Sequence, residues 1–252
     1  MNLLTNSDPS EKILKRPRET TIAMIFLLTS VVISNTVRGE NRDVSIKGTV
    51  KIYDSKGQLK KTHGNVVVFL DEIENPSAQR TLPAKNSIMT QINKSFTPEV
   101  LPIMAGTTVD FPNNDTIYHN VFSLSKAKPF DLGIYPQGSN KTVTFDKPGL
   151  IKIYCNIHPH MIASILVLPN PYFTMTNTDG HFEIHNVPEG KAVIRTWYPR
   201  AKKYPQQEIL VPREGIERIQ LSILENMNFQ IQEETISIGH QNKWGQDYPS
   251  KY

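Results

Sequence analysis

The chain has 252 residues, 38% hydrophobic and 21% charged, which is enough apolar material for a packed core and excludes wholesale disorder. Its single cysteine, Cys155, excludes an internal disulfide framework, a four-thiolate zinc site, an iron–sulfur cluster held by this chain alone and a dithiol redox pair. The net charge is only +4, and no basic run interleaved with aromatics occurs in the body, so no nucleic-acid partner is expected.

Residues 1–39 read as a signal peptide or N-terminal anchor. Lys12, Lys15, Arg16 and Arg18 precede an apolar stretch from Thr21 to Ser34, and Val37-Arg38-Gly39 follows with small residues. That is the order of a secretory signal. The stretch is short for a membrane span, so a membrane is a partner only if this segment stays uncleaved. A periplasmic or otherwise exported protein is expected. Removing the segment removes five basic and three acidic residues, which leaves a nearly neutral remainder. A free thiol is a liability in an oxidising compartment, so its retention calls for a reason.

From residue 45 the chain reads as strands. Ser45–Tyr53 alternates, and Asp54-Ser55-Lys56-Gly57 is a turn. Asn65–Asp71 carries the apolar run Val66–Leu70, a buried strand. Residues Thr107–Phe111, Lys141–Phe145 and Leu150–Cys155 each place alternate apolar side chains on one face. Cys155 thereby shares a face with Ile151 and Ile153 and points to a core. Ala163–Leu168, the pair Phe182 and Ile184, the alternating Ala192, Ile194 and Thr196, Gln207–Val211 and Glu217–Leu224 continue the series. No segment between 45 and 225 has a sustained helical period with caps. The expected fold class is all-β, built of β-sandwiches. The polar tail, 226–252, is given little structure.

The chemistry concentrates in Tyr154-Cys155-Asn156-Ile157-His158-Pro159-His160-Met161. The loop between two strands is short, so Cys155, His158 and Met161 can converge on one point. His119 lies earlier, on the expected strand Tyr118-His119-Asn120-Val121. One thiolate, two imidazoles and a thioether form the donor set of a trigonal copper site with a weak axial methionine. The sulfurs favour the reduced ion and the imidazoles the oxidised one. The remaining histidines carry less. His160 lies between two ligands of a filled set and is expected at the surface. His181 and His185 sit about 13 Å apart on one strand, too far to grip one ion, and with Glu183 they read as a solvated face.

These residues carry a resemblance. Residues 87–168 resemble a cupredoxin, the Greek-key β-sandwich of small blue-copper proteins. Val109-Asp110-Phe111-Pro112-Asn113-Asn114-Asp115, followed by His119-Asn120-Val121, is similar to that family's first-histidine strand. Phe145-Asp146-Lys147-Pro148-Gly149 leading to Tyr154-Cys155 is similar to its approach to the cysteine. The short loop with proline after the histidine is most similar to the amicyanin branch, from which Asn156-Ile157 departs. The resemblance implies one type 1 copper ion with His119, Cys155 and His158 as equatorial ligands and Met161 as the axial one. It also implies a backbone N–H from Asn120 to the thiolate.

The flanking sequence resembles a second family. Thr178-Asp179-Gly180-His181-Phe182 and Asn186-Val187-Pro188-Glu189-Gly190 are similar to the turns of a carboxypeptidase regulatory-like module, a transthyretin-like sandwich. Its opening strands correspond to Gly48–Tyr53 and Val66–Leu70. The expected layout is an insertion: 45–86 opens this sandwich, 87–168 is the cupredoxin, and 169–225 completes the sandwich. Two tandem sandwiches form the rival layout. The functional expectation is an exported single-electron carrier and not an enzyme. Tyr154 and Asn156 flank Cys155 where a multicopper oxidase has histidines, and one cysteine cannot build a dinuclear purple centre. Copper handling, or a binding module whose metal is structural or lost, are the alternatives. The resemblance implies a redox partner such as a cytochrome c or an exported dehydrogenase.

Overall fold

The computed structural model describes residues 44–76 and 82–226. The expected signal segment, 1–39, and the tail from residue 227 lie outside the described residues. Among the described residues there are strands and no α-helix, hence no helix long and apolar enough to cross a membrane. In chain order the strands are β1 (Ile46–Tyr53), β2 (Val67–Asp71), β3 (Ser87–Ile88), β4 (Thr90–Ile92), β5 (Ser95–Thr97) and β6 (Val100–Met104). Next come β7 (Thr107–Pro112), β8 (His119–Ser123), β9 (Phe130–Tyr135), β10 (Asn140–Phe145), β11 (Gly149–Tyr154) and β12 (Ile162–Leu168). The last are β13 (Phe173–Met175), β14 (His181–Ile184), β15 (Gly190–Trp197), β16 (Gln206–Val211) and β17 (Ile216–Leu224). The all-β class read from the sequence is the class observed.

Two sandwiches form. In the first, a sheet of order β6-β12-β11-β8-β9 faces a sheet of order β10-β7-β3. The core between them follows from strand alternation. Val109 and Phe111 of β7 and Val143 and Phe145 of β10 meet Ile151 and Ile153 of β11 and Ala163, Ile165 and Val167 of β12. Strand β11 returns beside β8, so the order is Greek-key. In the second sandwich, a sheet of order β14-β1-β17 faces a sheet of order β13-β2-β15-β16. Its strands come from both sides of residues 87–168: β1 pairs with β14 and β17, and β2 with β13 and β15. Gly48 of β1 is required there. A Cβ at this position would stand 2.3 Å from the carbonyl oxygen of Ile219 and 2.6 Å from the Phe182 ring.

A third apolar cluster joins the two sandwiches. Val67, Phe69 and Trp197 pack with Val100, Leu166 and Leu168. This explains the unbroken apolar run in β2. Both faces of that strand are covered, one by the second sandwich's own core and one by the first sandwich, so alternation has no polar side to serve.

The far end of β17 is tied down by a polar contact. The Tyr198 hydroxyl donates to Glu225 Oε1 at 2.9 Å, and Lys60 Nζ lies 2.6 Å from the same oxygen. Burial, and then the hydrogen bond to Glu225, push the Tyr198 phenol from 10.0 up to about 12. An unfolded chain loses this proton first, so folding stability declines as pH rises from about 10 towards 12. Urea unfolding midpoints measured across that window should fall for the native chain and fall less steeply for Tyr198→Phe. Equal slopes would show that Tyr198 contributes nothing there.

Candidate metal centre

Strand β11 ends at Tyr154, directly opposite Ile162 of β12, so residues 155–161 close a hairpin. That register sets Cys155 and Met161 on either side of its mouth, 3% and 1% exposed, within the same core cluster. The backbone N–H of Met161 donates to the His158 carbonyl oxygen at 2.9 Å, which turns the loop back on itself. His119, wholly buried, opens β8 on the neighbouring strand. His158 is half-buried, and Asn156, Ile157, Pro159 and His160 are exposed.

Three donor atoms converge. His119 Nδ1 and His158 Nδ1 are 3.1 Å apart, and each stands 3.9 Å from Cys155 Sγ. The imidazole rings meet edge-on with centroids 4.8 Å apart. Metal bonds of about 2.0 Å to nitrogen and 2.3 Å to sulfur meet at a single point inside this triangle. The residues present therefore fit a metal ion, and the two-nitrogen, one-thiolate set suits copper. Partial burial, and next the neighbouring His119, hold the His158 imidazole below its ordinary value, which favours the neutral form that ligates.

Polar side chains outside the triangle hold it in shape. Asn120, 2% exposed, accepts the Asn156 backbone N–H at 2.7 Å through Oδ1, and its Nδ2 donates to Asp131 at 3.3 Å. The amide thus ties β8 to the ligand loop through its side chain, a different contact from the backbone donor that the resemblance implies for Asn120. Asn113, wholly buried, accepts the Asp115 N–H through Oδ1 and donates to the carbonyls of Ile117 and Tyr135. It shapes the loop that delivers His119. Tyr135 of β9 lies opposite His119 of β8; its hydroxyl donates to the Phe111 carbonyl and accepts from Gln91 Nε2. Burial drives that phenol well above its ordinary range.

The sequence reading missed Asp115. Its Oδ2 lies 3.0 Å from His119 Nε2, on the ring edge away from the donor triangle. The backbone N–H of Lys94, and then His119, hold this carboxyl below its usual range. Nothing marks an aspartate four residues before a histidine unless the loop between them is known to turn back. His181 and His185 are exposed and lie outside the cluster. His185 Nδ1 stands 3.7 Å from Glu183. His63 is half-buried, and its Nδ1 accepts the Ile52 N–H.

No protein-family model matches the chain, and no curated protein does. Among solved structures it is similar to a copper-containing nitrite reductase from Thermus scotoductus SA-01, at 30% identity and a TM-score of 0.33. That match covers 37% of this chain and only a quarter of the reductase. A purple cupredoxin from Nitrosopumilus maritimus is 24% identical over 33% of this chain and all of its own, with a TM-score of 0.31. Amicyanin from Paracoccus versutus is 22% identical over 40% of this chain and 97% of its own, with a TM-score of 0.32. The strand order and the placement of the donor triangle at the β8 and β11–β12 end define the protein's class here. It is an all-β protein with a cupredoxin-like Greek-key sandwich.

Proposed function

We propose that this chain is an exported type 1 copper protein that carries single electrons and transforms no substrate. The observation that carries the reading is the donor triangle, 3.1 Å between the imidazole nitrogens and 3.9 Å from each to the thiol. His119, Cys155 and His158 would hold the ion, with Met161, buried in the same core cluster, as a weak fourth donor. Copper bound there supplies a one-electron couple between its two oxidation states. The protein's part is to keep the donors in one arrangement, and the buried Asn113 and the Asn120 tie to the loop do this. Burial of His119 and Cys155 also favours a resident ion over one handed on, since an exchangeable site exposes its ligands. Tyr154 and Asn156 on either side of Cys155 give no histidine path to a further copper centre.

Within this reading, 87–168 is the cupredoxin, inserted into a regulatory-like sandwich made of 45–86 and 169–225. Pairing of β1 and β2 with strands beyond residue 168 supports that layout over two tandem sandwiches. An optical spectrum of the copper-loaded protein tests the function. An intense thiolate-to-copper band with reversible one-electron reduction is expected, and a colourless copper protein would overturn it.

Partner proteins, a cytochrome c or an exported dehydrogenase among them, would meet the chain where His158 reaches the surface. Ile157 beside it is 42% exposed. Ile157→Asp should slow self-exchange several-fold and leave the melting temperature and the copper spectrum unchanged. Unaltered exchange would put the electron exit elsewhere.

A further inference from the structure

We infer that Asp115 is a positioning residue for the metal centre. It sets the tautomer and ring orientation of His119 and biases the site towards the oxidised ion. The inference rests on the copper reading above. An ionised carboxylate only accepts hydrogen bonds. With Asp115 Oδ2 3.0 Å from Nε2, that nitrogen must carry the ring proton, and the lone pair of Nδ1 is left facing Cys155 and His158. The opposite tautomer would set the lone pair of a wholly buried imidazole against a carboxylate.

The aspartate is itself held from three sides. Its Oδ2 accepts the Lys94 N–H at 2.7 Å, its Oδ1 accepts the Thr116 N–H at 3.3 Å, and its own N–H donates to Asn113. The Lys94 contact follows from the β4–β5 hairpin. Asn93 and Lys94 both have positive φ, 54° and 53°, as a two-residue type I′ turn requires. The N–H of the second turn residue lies outside the hairpin ladder and meets Asp115. Negative charge on the far side of the ring raises imidazole basicity. That favours the doubly charged ion over the singly charged one.

Two measurements on the full chain decide the matter. Nitrogen chemical shifts of His119 in the metal-free native protein should report a single Nε2–H tautomer, and Asp115→Ala should give a mixture. In the copper-loaded protein, Asp115→Asn keeps the shape and removes the charge. Affinity for added Cu(II) should fall about tenfold with Cu(I) affinity unchanged, which raises the potential by about 59 mV. A mixed or Nδ1–H tautomer in the native chain overturns the inference. So does an Asp115→Asn protein that melts lower at an unchanged potential, because Asp115 would then merely pin the hairpin. Should the native protein prove colourless with copper, the copper reading fails. The tautomer measurement, which needs no metal, still decides what Asp115 does to His119.

Discussion

Cys155→Ser is expected to abolish the visible band of the copper-loaded protein while the chain stays folded. The side chain is 3% exposed at the end of β11, and serine is nearly the same size, so packing changes little. The hydroxyl cannot supply the soft thiolate that both colours the site and holds reduced copper. Met161→Leu forms the contrast. It keeps an apolar side chain of similar volume in a site that is 1% exposed, at a cost below about 1.5 kcal/mol. Colour should survive and the potential should rise, because oxidised copper loses a weak donor. Absorption spectra and voltammetry of both variants check this. A Cys155→Ser protein that kept its band would remove the thiolate from the site, and a Met161→Leu protein without copper would mean the loop has another ligand order.

Leu166→Ala should destabilise the chain by about 2–5 kcal/mol and leave the copper spectrum as it was. Successive side chains of β12 point to opposite faces. Ile165 and Val167 enter the core that holds Cys155 and Met161, whereas Leu166 and Leu168 enter the cluster shared with Phe69 and Trp197. A cavity at Leu166 therefore opens between the sandwiches. Leu210→Ala is the control, since Leu210 is 68% exposed and should shift stability by no more than about 0.5 kcal/mol. Chemical unfolding and the visible spectrum, recorded on the same samples, separate the two effects. A bleached Leu166→Ala protein would mean that the joining cluster supports the metal site directly.

The strands that alternate strictly were legible in the sequence because each has one wet and one dry face; β7 and β10 lie within one residue of the expected segments. The elements that went unread have physical reasons of their own. Strand β6 carries Pro102 and is tolerated because it lies at the edge of its sheet, paired in parallel with β12 alone. Strand β9 is also an edge and contains Gly133 with φ of 67°. Strands β3, β4 and β5 run for only two or three residues, too few to establish a period. At the site, Cys155, His158 and Met161 could be read from spacing within one loop. His119, on a separate expected strand, was joined to them by the donor set that a trigonal copper site needs, and the resemblance agreed. Asp115, Asn113 and Gln91 could not be found this way, because their roles depend on how a loop and a hairpin fold back against β8.

The parallel pairing of β1 with β17 has a consequence for the order of assembly. Ile46 finds Ile216 about 170 residues later, so the second sandwich cannot close until nearly the whole described chain has been made. Closing a flexible loop of that length is entropically unfavourable, and such non-local pairing is slow. The first sandwich lessens that cost. Once residues 87–168 have folded, the chain enters and leaves that sandwich close together: Leu82 packs against Gly106, and the neighbouring Ala105 N–H donates to the Leu168 carbonyl at 2.9 Å. What is left to close is then the two arms outside it, about half of the residues between Ile46 and Ile216. The first sandwich thus serves as the template on which its neighbour folds. Damage to its core should trap the chain with β1 and β2 unpaired, presenting bare strand edges to other copies of itself.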